Sequence, residues 1–260
     1  GFGPEVCHKR NPKLVYGRMT GWGQEGPWSS MAGHDINYLS ITGFLHMTGK
    51  AGEPPTPPLN LVGDFGGGST FLAMGMLAAM LRAQKTGKGD VVDAAIVDGV
   101  SSMVGIINSL SGFGLWTPER EDNLLDGGAP FYRCYKTADE KFMAVGCIEP
   151  QFFAIMMEKT GVSPEEYGGQ NDKAQWPRQH ELLESVFGSK TRDEWCAVFN
   201  ITVTNDSGED GYYDVFNQIE KCCIVILEKR CFVPFLAMIF SFHNLIVLVP
   251  SRMVFGRRID

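Results

Sequence analysis

Between Ser69 and Gln84 the chain is almost wholly apolar and built from small side chains, with Ala73, Met74, Gly75, Met76, Ala78, Ala79 and Met80 preceding the first charge at Arg82. A helix of this composition has no strongly polar face, which predicts a core helix packed closely on several sides. Lys85-Thr86-Gly87-Lys88-Gly89 supplies basic residues and a glycine stop at its end. Asp90 to Ile96 then reads as a buried strand and Asp98 to Leu110 as a further helix. Upstream, Leu14 to Met19 reads as a strand that runs into the glycine-rich turn Thr20 to Pro27. Strand, helix and strand alternate, and that order favours an α/β architecture over all-α or all-β packing.

Around this centre the other signals are local. Apolar spacing after Gly33 predicts a short helix over His34 to Leu45. Residues 49–58 hold four prolines, which remove four backbone donors and predict a loop. Phe131 to Tyr135 and Phe142 to Val145 flank the turn Thr137-Ala138-Asp139-Glu140, a β-hairpin pattern. Residues 151–199 are helical in character, with Pro164 and Pro177 near helix starts. From Cys231 to Val249 the chain is nearly continuous apolar sequence, flanked by Lys229, Arg230 and Arg252. By length it is close to the roughly 20 apolar residues of a membrane span. Pro234, Ser241, His243 and Asn244 interrupt it, so membrane association of 231–249 is not the favoured reading, and a buried core segment is the alternative.

Composition excludes several function classes. A formal net charge of −7 gives no electrostatic reason for a nucleic-acid partner. The seven cysteines are scattered, with no CxxC pair, so neither a disulfide framework nor a zinc site is indicated. No signal segment opens the chain, and Gly1-Phe2-Gly3-Pro4 reads like a cut into longer sequence. The glycine triplet Gly66-Gly67-Gly68 fits neither the dinucleotide fingerprint nor the phosphate loop, and there is no GxSxG or HExxH. No metal site is expected.

Two positions stand out chemically. His34-Asp35 lies at a glycine-preceded helix start, and Asp64 lies between Gly63 and Phe65-Gly66-Gly67-Gly68. Both place an ionisable side chain at a helix N-terminus, where unpaired N–H groups and partial positive charge favour anions. The residues alone also allow an ordinary N-cap at Asp64 and a satisfied, partly buried histidine at His34.

The motifs also occur in a recognisable order. Ala32-Gly33-His34-Asp35-Ile36-Asn37-Tyr38, Pro58-Leu59-Asn60-Leu61-Val62-Gly63-Asp64-Phe65, Thr86-Gly87-Lys88-Gly89, Leu125-Asp126-Gly127-Gly128-Ala129-Pro130-Phe131-Tyr132 and Val145-Gly146-Cys147-Ile148-Glu149-Pro150 follow one another. Together they resemble the family III CoA-transferase superfamily and, within it, the alpha-methylacyl-CoA racemases, over roughly residues 1–199. The resemblance implies an α/β fold of the family III type: part of a large, Rossmann-like CoA-binding and catalytic domain over 1–115, a smaller α+β domain with a connecting segment over 116–199, and a divergent apolar tail over 200–260. It further implies a homodimer of interlocked subunits. It implies a segment ahead of Gly1 that carries the first part of the nucleotide-binding fold and most basic residues for the CoA phosphates. Beyond Phe199 the family pattern is not found.

The implied activity is racemisation at the 2-methyl carbon of a branched 2-methylacyl-CoA thioester. His34 and Asp64 would act on opposite faces of that carbon, passing a proton through an enolate, with Glu149 holding the histidine. Gly33, Asp35, Ile36, Asn37, Tyr38, Asn60, Gly63 and Tyr132 fall in the same motifs and are expected to bind substrate. Backbone N–H groups near Gly63 are expected to face the enolate oxygen. No cofactor is implied, coenzyme A being part of the substrate, and the compartment stays open among peroxisome, mitochondrion and cytoplasm. The same superfamily leaves a second chemistry, CoA transfer through an acyl-aspartate at Asp64, and a third outcome, an inactive truncated product.

Overall fold

A parallel pair of strands sets the first unit of the fold. In the computed structural model, which describes residues 2–199 and the tail strands Ile224–Leu227 and Ile246–Val249, β1 (Val15–Thr20) runs parallel to β2 (Val91–Ala95), with Tyr16 opposite Val91 and Thr20 opposite Ala95. Parallel strands need a long crossover. Here it is built from α2 (Asp35–Ile41), a wide helical segment Leu61–Thr70 and α3 (Phe71–Thr86). Ahead of β1 lies α1 (Pro4–Arg10), a proline-initiated helix that the sequence reading passes over. After β2 come α4 (Ile96–Met103) and α5 (Gly105–Gly112), and on the free edge of β1 the Ile246–Val249 strand pairs antiparallel. This unit runs to Leu115.

Three expectations change. The helix anticipated from Ser69 begins at Leu61, and its first ten residues are π-helical: the Phe65 N–H reaches Asn60 O at 3.4 Å, and the Ser69 and Thr70 hydroxyls donate to carbonyls five residues back, both at 3.1 Å. The glycine triplet, which opens the 69–84 stretch in sequence, therefore lies well inside a helix. Its role is close approach, because α4 crosses directly over it. A Cβ on Gly67 would stand 2.9 Å from Ile96 O and from Val100 N, and a Cβ on Gly99 would overlap the Gly67 carbonyl. Next, among the described residues α3 is packed on one side. Leu72, Met76, Ala79 and Ala83 are buried against the β1–β2 pair, whereas Met74, Leu77 and Leu81 are 53%, 60% and 61% exposed. Lastly, the helices expected over 98–110 and 34–45 are each broken, the first at Val104 and the second after Ile41, where Gly43 at φ +79° turns the chain into the 3₁₀ turn Phe44–Met47.

The second unit starts at Trp116. Its hairpin joins β3 (Tyr132–Lys136) to β4 (Phe142–Gly146), Tyr132 opposite Gly146, and Ile224–Leu227 extends the sheet antiparallel on β4. Numbered in chain order, the two tail strands are β5 (Ile224–Leu227) and β6 (Ile246–Val249). Four helices follow the hairpin: α6 (Pro150–Thr160), α7 (Pro164–Tyr167), α8 (Trp176–Gly188) and α9 (Arg192–Phe199). Prolines open the first two and Pro177 sits in the first turn of α8. Tyr135, Met143, Met156, Leu183, Phe187 and Trp195 form the shared core. The rest of 200–260 lies outside the described residues, and with it most of the apolar run 231–249.

In this unit His180 of α8 braces the loop before β3. Its Nε2 is 2.7 Å from Gly128 O and its Nδ1 is 2.9 Å from Arg133 Nη1. A guanidinium only donates, so Nδ1 must accept and Nε2 must carry the proton given to Gly128. The bond from Arg133 needs a neutral imidazole, since a protonated Nδ1 cannot accept, and burial first, then Arg133, hold the His180 pKa below its ordinary value against the opposing pull of the Gly128 bond. As pH falls the unfolded chain takes this proton first, so the stabilisation is present above the ordinary imidazole value and is lost as pH drops from there toward the folded-state value. The urea midpoint is expected to fall between about pH 7.5 and about pH 5.5 more steeply for the wild-type chain than for His180→Gln, whose amide makes both bonds at either pH. Equal slopes would remove His180 from the pH response. At the helix crossing, Gly99→Ala is expected to cost about 1–3 kcal/mol through overpacking, read as a lowered midpoint with unchanged slope in the same titration.

Candidate active site

His34 is the N-cap of α2, in extended backbone at φ −127° and ψ 172°. Asn37 Oδ1 accepts the His34 N–H at 3.0 Å, and the Asn37 N–H returns to His34 O at 2.8 Å. A polar residue three positions into the helix thus closes its first turn, which is the local reason His-Asp-Ile-Asn starts a helix. Tyr38, one turn further, donates its hydroxyl to Gly33 O at 2.6 Å and meets Trp22 edge to face at 4.8 Å. The approach to His34 is therefore fixed on both sides.

Asp64 comes from the first turn of the π-helical segment, whose N-cap is Asn60. Its backbone N–H donates to Asp35 Oδ2 at 2.8 Å, and the Asn60 side chain hydrogen-bonds its carboxylate. Burial, and then the charge of Asp35, raise the Asp64 pKa, while the Asn60 hydrogen bond and His34 pull the other way. Tyr38 is raised as well, by burial and then by Asp64 and Asp35. Asp64 thus shares its half-buried place with a second carboxyl group, Asp35, and with the Tyr38 hydroxyl.

His34 and Asp64 open onto one cavity of about 280 Å³. Its remaining wall comes from the end of β1 and the following loop (Met19, Thr20, Gly21, Trp22), from Ser29 to Gly33, and from Tyr38 and Ile96. Met19, Trp22, Met31 and Ile96 together with Thr20, Ser29 and Ser30 thus surround one imidazole and one carboxyl group, a pair of types able to give and take a proton. Among the described residues no group of three His, Cys, Asp or Glu side chains is gathered for a metal ion.

Of the residues singled out from sequence, Gly33, His34, Tyr38 and Asp64 line this cavity. Asp35 is buried beneath Gly63, Asn37 caps α2, Asn60 holds the Asp64 carboxylate, and Ile36 is 41% exposed. The Asp64 N–H, one of the donors expected to face an enolate, is engaged by Asp35. Tyr132 and Glu149 belong to the second unit: Tyr132 opens β3, and Glu149 is the N-cap of α6, its carbonyl accepting the Phe152 and Phe153 N–H groups. Gln170, which the sequence reading passed over, steadies that corner by donating to Cys147 O and Ile148 O at 3.2 and 2.9 Å. Trp22 and Met31 were also missed. The signal for Trp22 lay beside it, since a Cβ on Gly21 would collide with the Tyr38 ring.

Residues 1–203 match the sequence profile of CoA-transferase family III. The chain belongs to that family. It is similar to alpha-methylacyl-CoA racemase of Mus musculus, 46% identical over 201 residues, and to the Homo sapiens protein of the same name, 43% identical over 201 residues. In both cases the match covers 77% of this chain and 53% of the relative. This family III chain thus spans about half the length of the curated relatives it matches. Among solved structures it is similar to a CAIB/BAIF family protein from Brucella suis, with a TM-score of 0.61 and 19% identity over 84% of this chain and 57% of that one. That likeness establishes the family III type of mixed α/β fold.

Proposed function

We propose that the protein of which this chain is part interconverts the two configurations at the 2-methyl carbon of a branched acyl-CoA thioester. One of His34 and Asp64 removes the α-proton, and the electron pair passes into the thioester carbonyl to give an enolate. The other returns a proton to the opposite face. The thioester carries the charge, so the reaction asks for no metal or redox cofactor, coenzyme A arriving as part of the substrate. The observation that carries this reading is the pairing of an imidazole and a carboxyl group, from two different helix N-termini, in one cavity. The identity to the named racemases supports it.

The environment of Asp64 fits the acid half of such a pair. A carboxyl pKa raised by burial and then by Asp35 leaves Asp64 able to carry a proton beside the His34 imidazole. The other family chemistry, attack by an Asp64 carboxylate with transfer of CoA, requires that group ionised. Burial and Asp35 act against that form. Glu149 as the group that orients His34, Tyr132 in contact with substrate, and a homodimer as the working assembly are parts of the same proposal, and they rest on the motif resemblance.

Removal of either proton-transfer group has a definite consequence. His34→Gln and Asp64→Asn are each expected to lower interconversion of the R and S thioesters by about 10²–10⁴-fold, with thioester binding retained. Interconversion at the wild-type rate in either variant, or a hydroxylamine-trappable acyl group on Asp64, would overturn the racemase reading.

A further inference from the structure

Asp35 is 6% exposed, does not line the cavity, and its Oδ2 accepts the N–H of a residue 29 positions away. Its other oxygen, Oδ1, is buried and has no hydrogen-bond partner among the described residues. The space for this carboxylate exists because residue 63 is glycine: a Cβ there would stand 2.8 Å from Asp35 Cγ and closer still to Oδ2. Burying a carboxylate against one backbone N–H, beside a second carboxyl group, is costly. An asparagine of the same shape would make the same hydrogen bond without the charge. The hydrogen bond alone therefore does not account for an acid at this position.

We propose that Asp35 is a positioning residue for Asp64: it ties the backbone at Asp64 to the start of α2, so that Asp64 is set against His34, and it stands a second carboxyl group beside that of Asp64. The role deepens the proton-transfer reading of the site and rests on it for its catalytic meaning. The groups that act on Asp64 are Asp35 at the start of α2, His34 at its N-cap and Asn60 from its own segment, and Asp64 in turn acts on Tyr38 of α2. Asp35 favours the protonated carboxyl, whereas His34 and the Asn60 hydrogen bond favour the ionised one. Asp35 and His34 are adjacent in sequence, so one helix start delivers both the partner base and the charge that opposes it. A change in the seating of α2 therefore moves both influences on Asp64 together.

The test uses the whole chain, with the Asp64 carboxyl followed by carbon NMR through a pH titration and the Asp64 amide by hydrogen exchange. Asp64→Asn identifies the signal. In Asp35→Asn, Asp64 is expected to titrate at lower pH than in the wild type while its amide keeps its protection. In Asp35→Ala the amide is expected to lose about ten- to a hundredfold in protection, the size of one hydrogen bond to a charged group. Asp64 titrating identically in wild type and Asp35→Asn overturns the electrostatic half, and unchanged amide protection in Asp35→Ala overturns the tether. Should Asp35→Ala fail to fold, coupling across the hydrogen bond between the Asp64 nitrogen and Asp35 Cγ in the wild-type chain decides the tether, its absence refuting it. These readouts do not use turnover. If they hold while the chain moves no α-proton, the racemase reading fails and the positioning role stands. Where the chain is active, the pH profile of Asp35→Asn is expected to move in the same direction as the Asp64 titration, with kcat affected more than KM.

Discussion

The contact between the Asp35 carboxylate and the Asp64 N–H, over the bare backbone of Gly63, holds the candidate site together. His34 belongs to one helix start and Asp64 to another, and this hydrogen bond joins the two starts directly. Its acceptor carries a charge, so it belongs to the stronger class of hydrogen bond, about 1.5–3 kcal/mol net. The Asp35 carboxylate is buried, so losing its donor leaves an uncompensated polar group and costs more than the bond contributes. The crossing of α4 over Gly67 sets the depth of the Asp64 segment, and the end of β1 supplies the cavity wall opposite. Each of these contacts needs backbone to approach backbone or ring closely, which is why the first 115 residues are rich in glycine.

The outer face of α3 is less complete. Met74, Leu77 and Leu81 follow helical spacing, so their exposure forms a stripe and not a scatter. Full burial of a side chain of this size is worth roughly 1.5–3 kcal/mol, a stabilisation this face does not collect in the chain described. The inner face does collect it, through Leu72, Met76, Ala79 and Ala83 against the parallel pair. A helix nearly all apolar in sequence is thus half used, in a chain that spans about half the length of its curated relatives.

Much of the architecture was legible in the residues. Apolar periodicity located β1, α3 and β2, and turn chemistry located the β3–β4 hairpin. The motif order pointed to family III and to His34 and Asp64 as candidates, which the fold brings to one cavity. What was not legible depends on tertiary approach. Gly66-Gly67-Gly68 reads only as the opening of the 69–84 helix, and a wide helix already formed from Leu61 becomes legible when α4 is seen crossing it. The break of the 98–110 helix at Val104 has no proline to announce it. Asp35 looked like one more polar residue of a binding motif, because nothing in sequence records that its carboxylate turns away to meet a backbone 29 residues on. His180 had no motif at all, and its role emerges from the geometry of Arg133 and Gly128. A local pattern reports how a residue suits its own element and is silent about which other element arrives beside it.

The central claim is that a proton leaves one face of a carbon beside a thioester and another enters the opposite face. It is tested most directly by supplying a single enantiomer of a 2-methylacyl-CoA to the protein in deuterated water, then recording deuterium at C2 and configuration together. Two-base transfer through His34 and Asp64 requires inverted product to carry deuterium at C2. Bound thioester that keeps both its configuration and its original proton, or CoA released to an acceptor acid with C2 untouched, would contradict it.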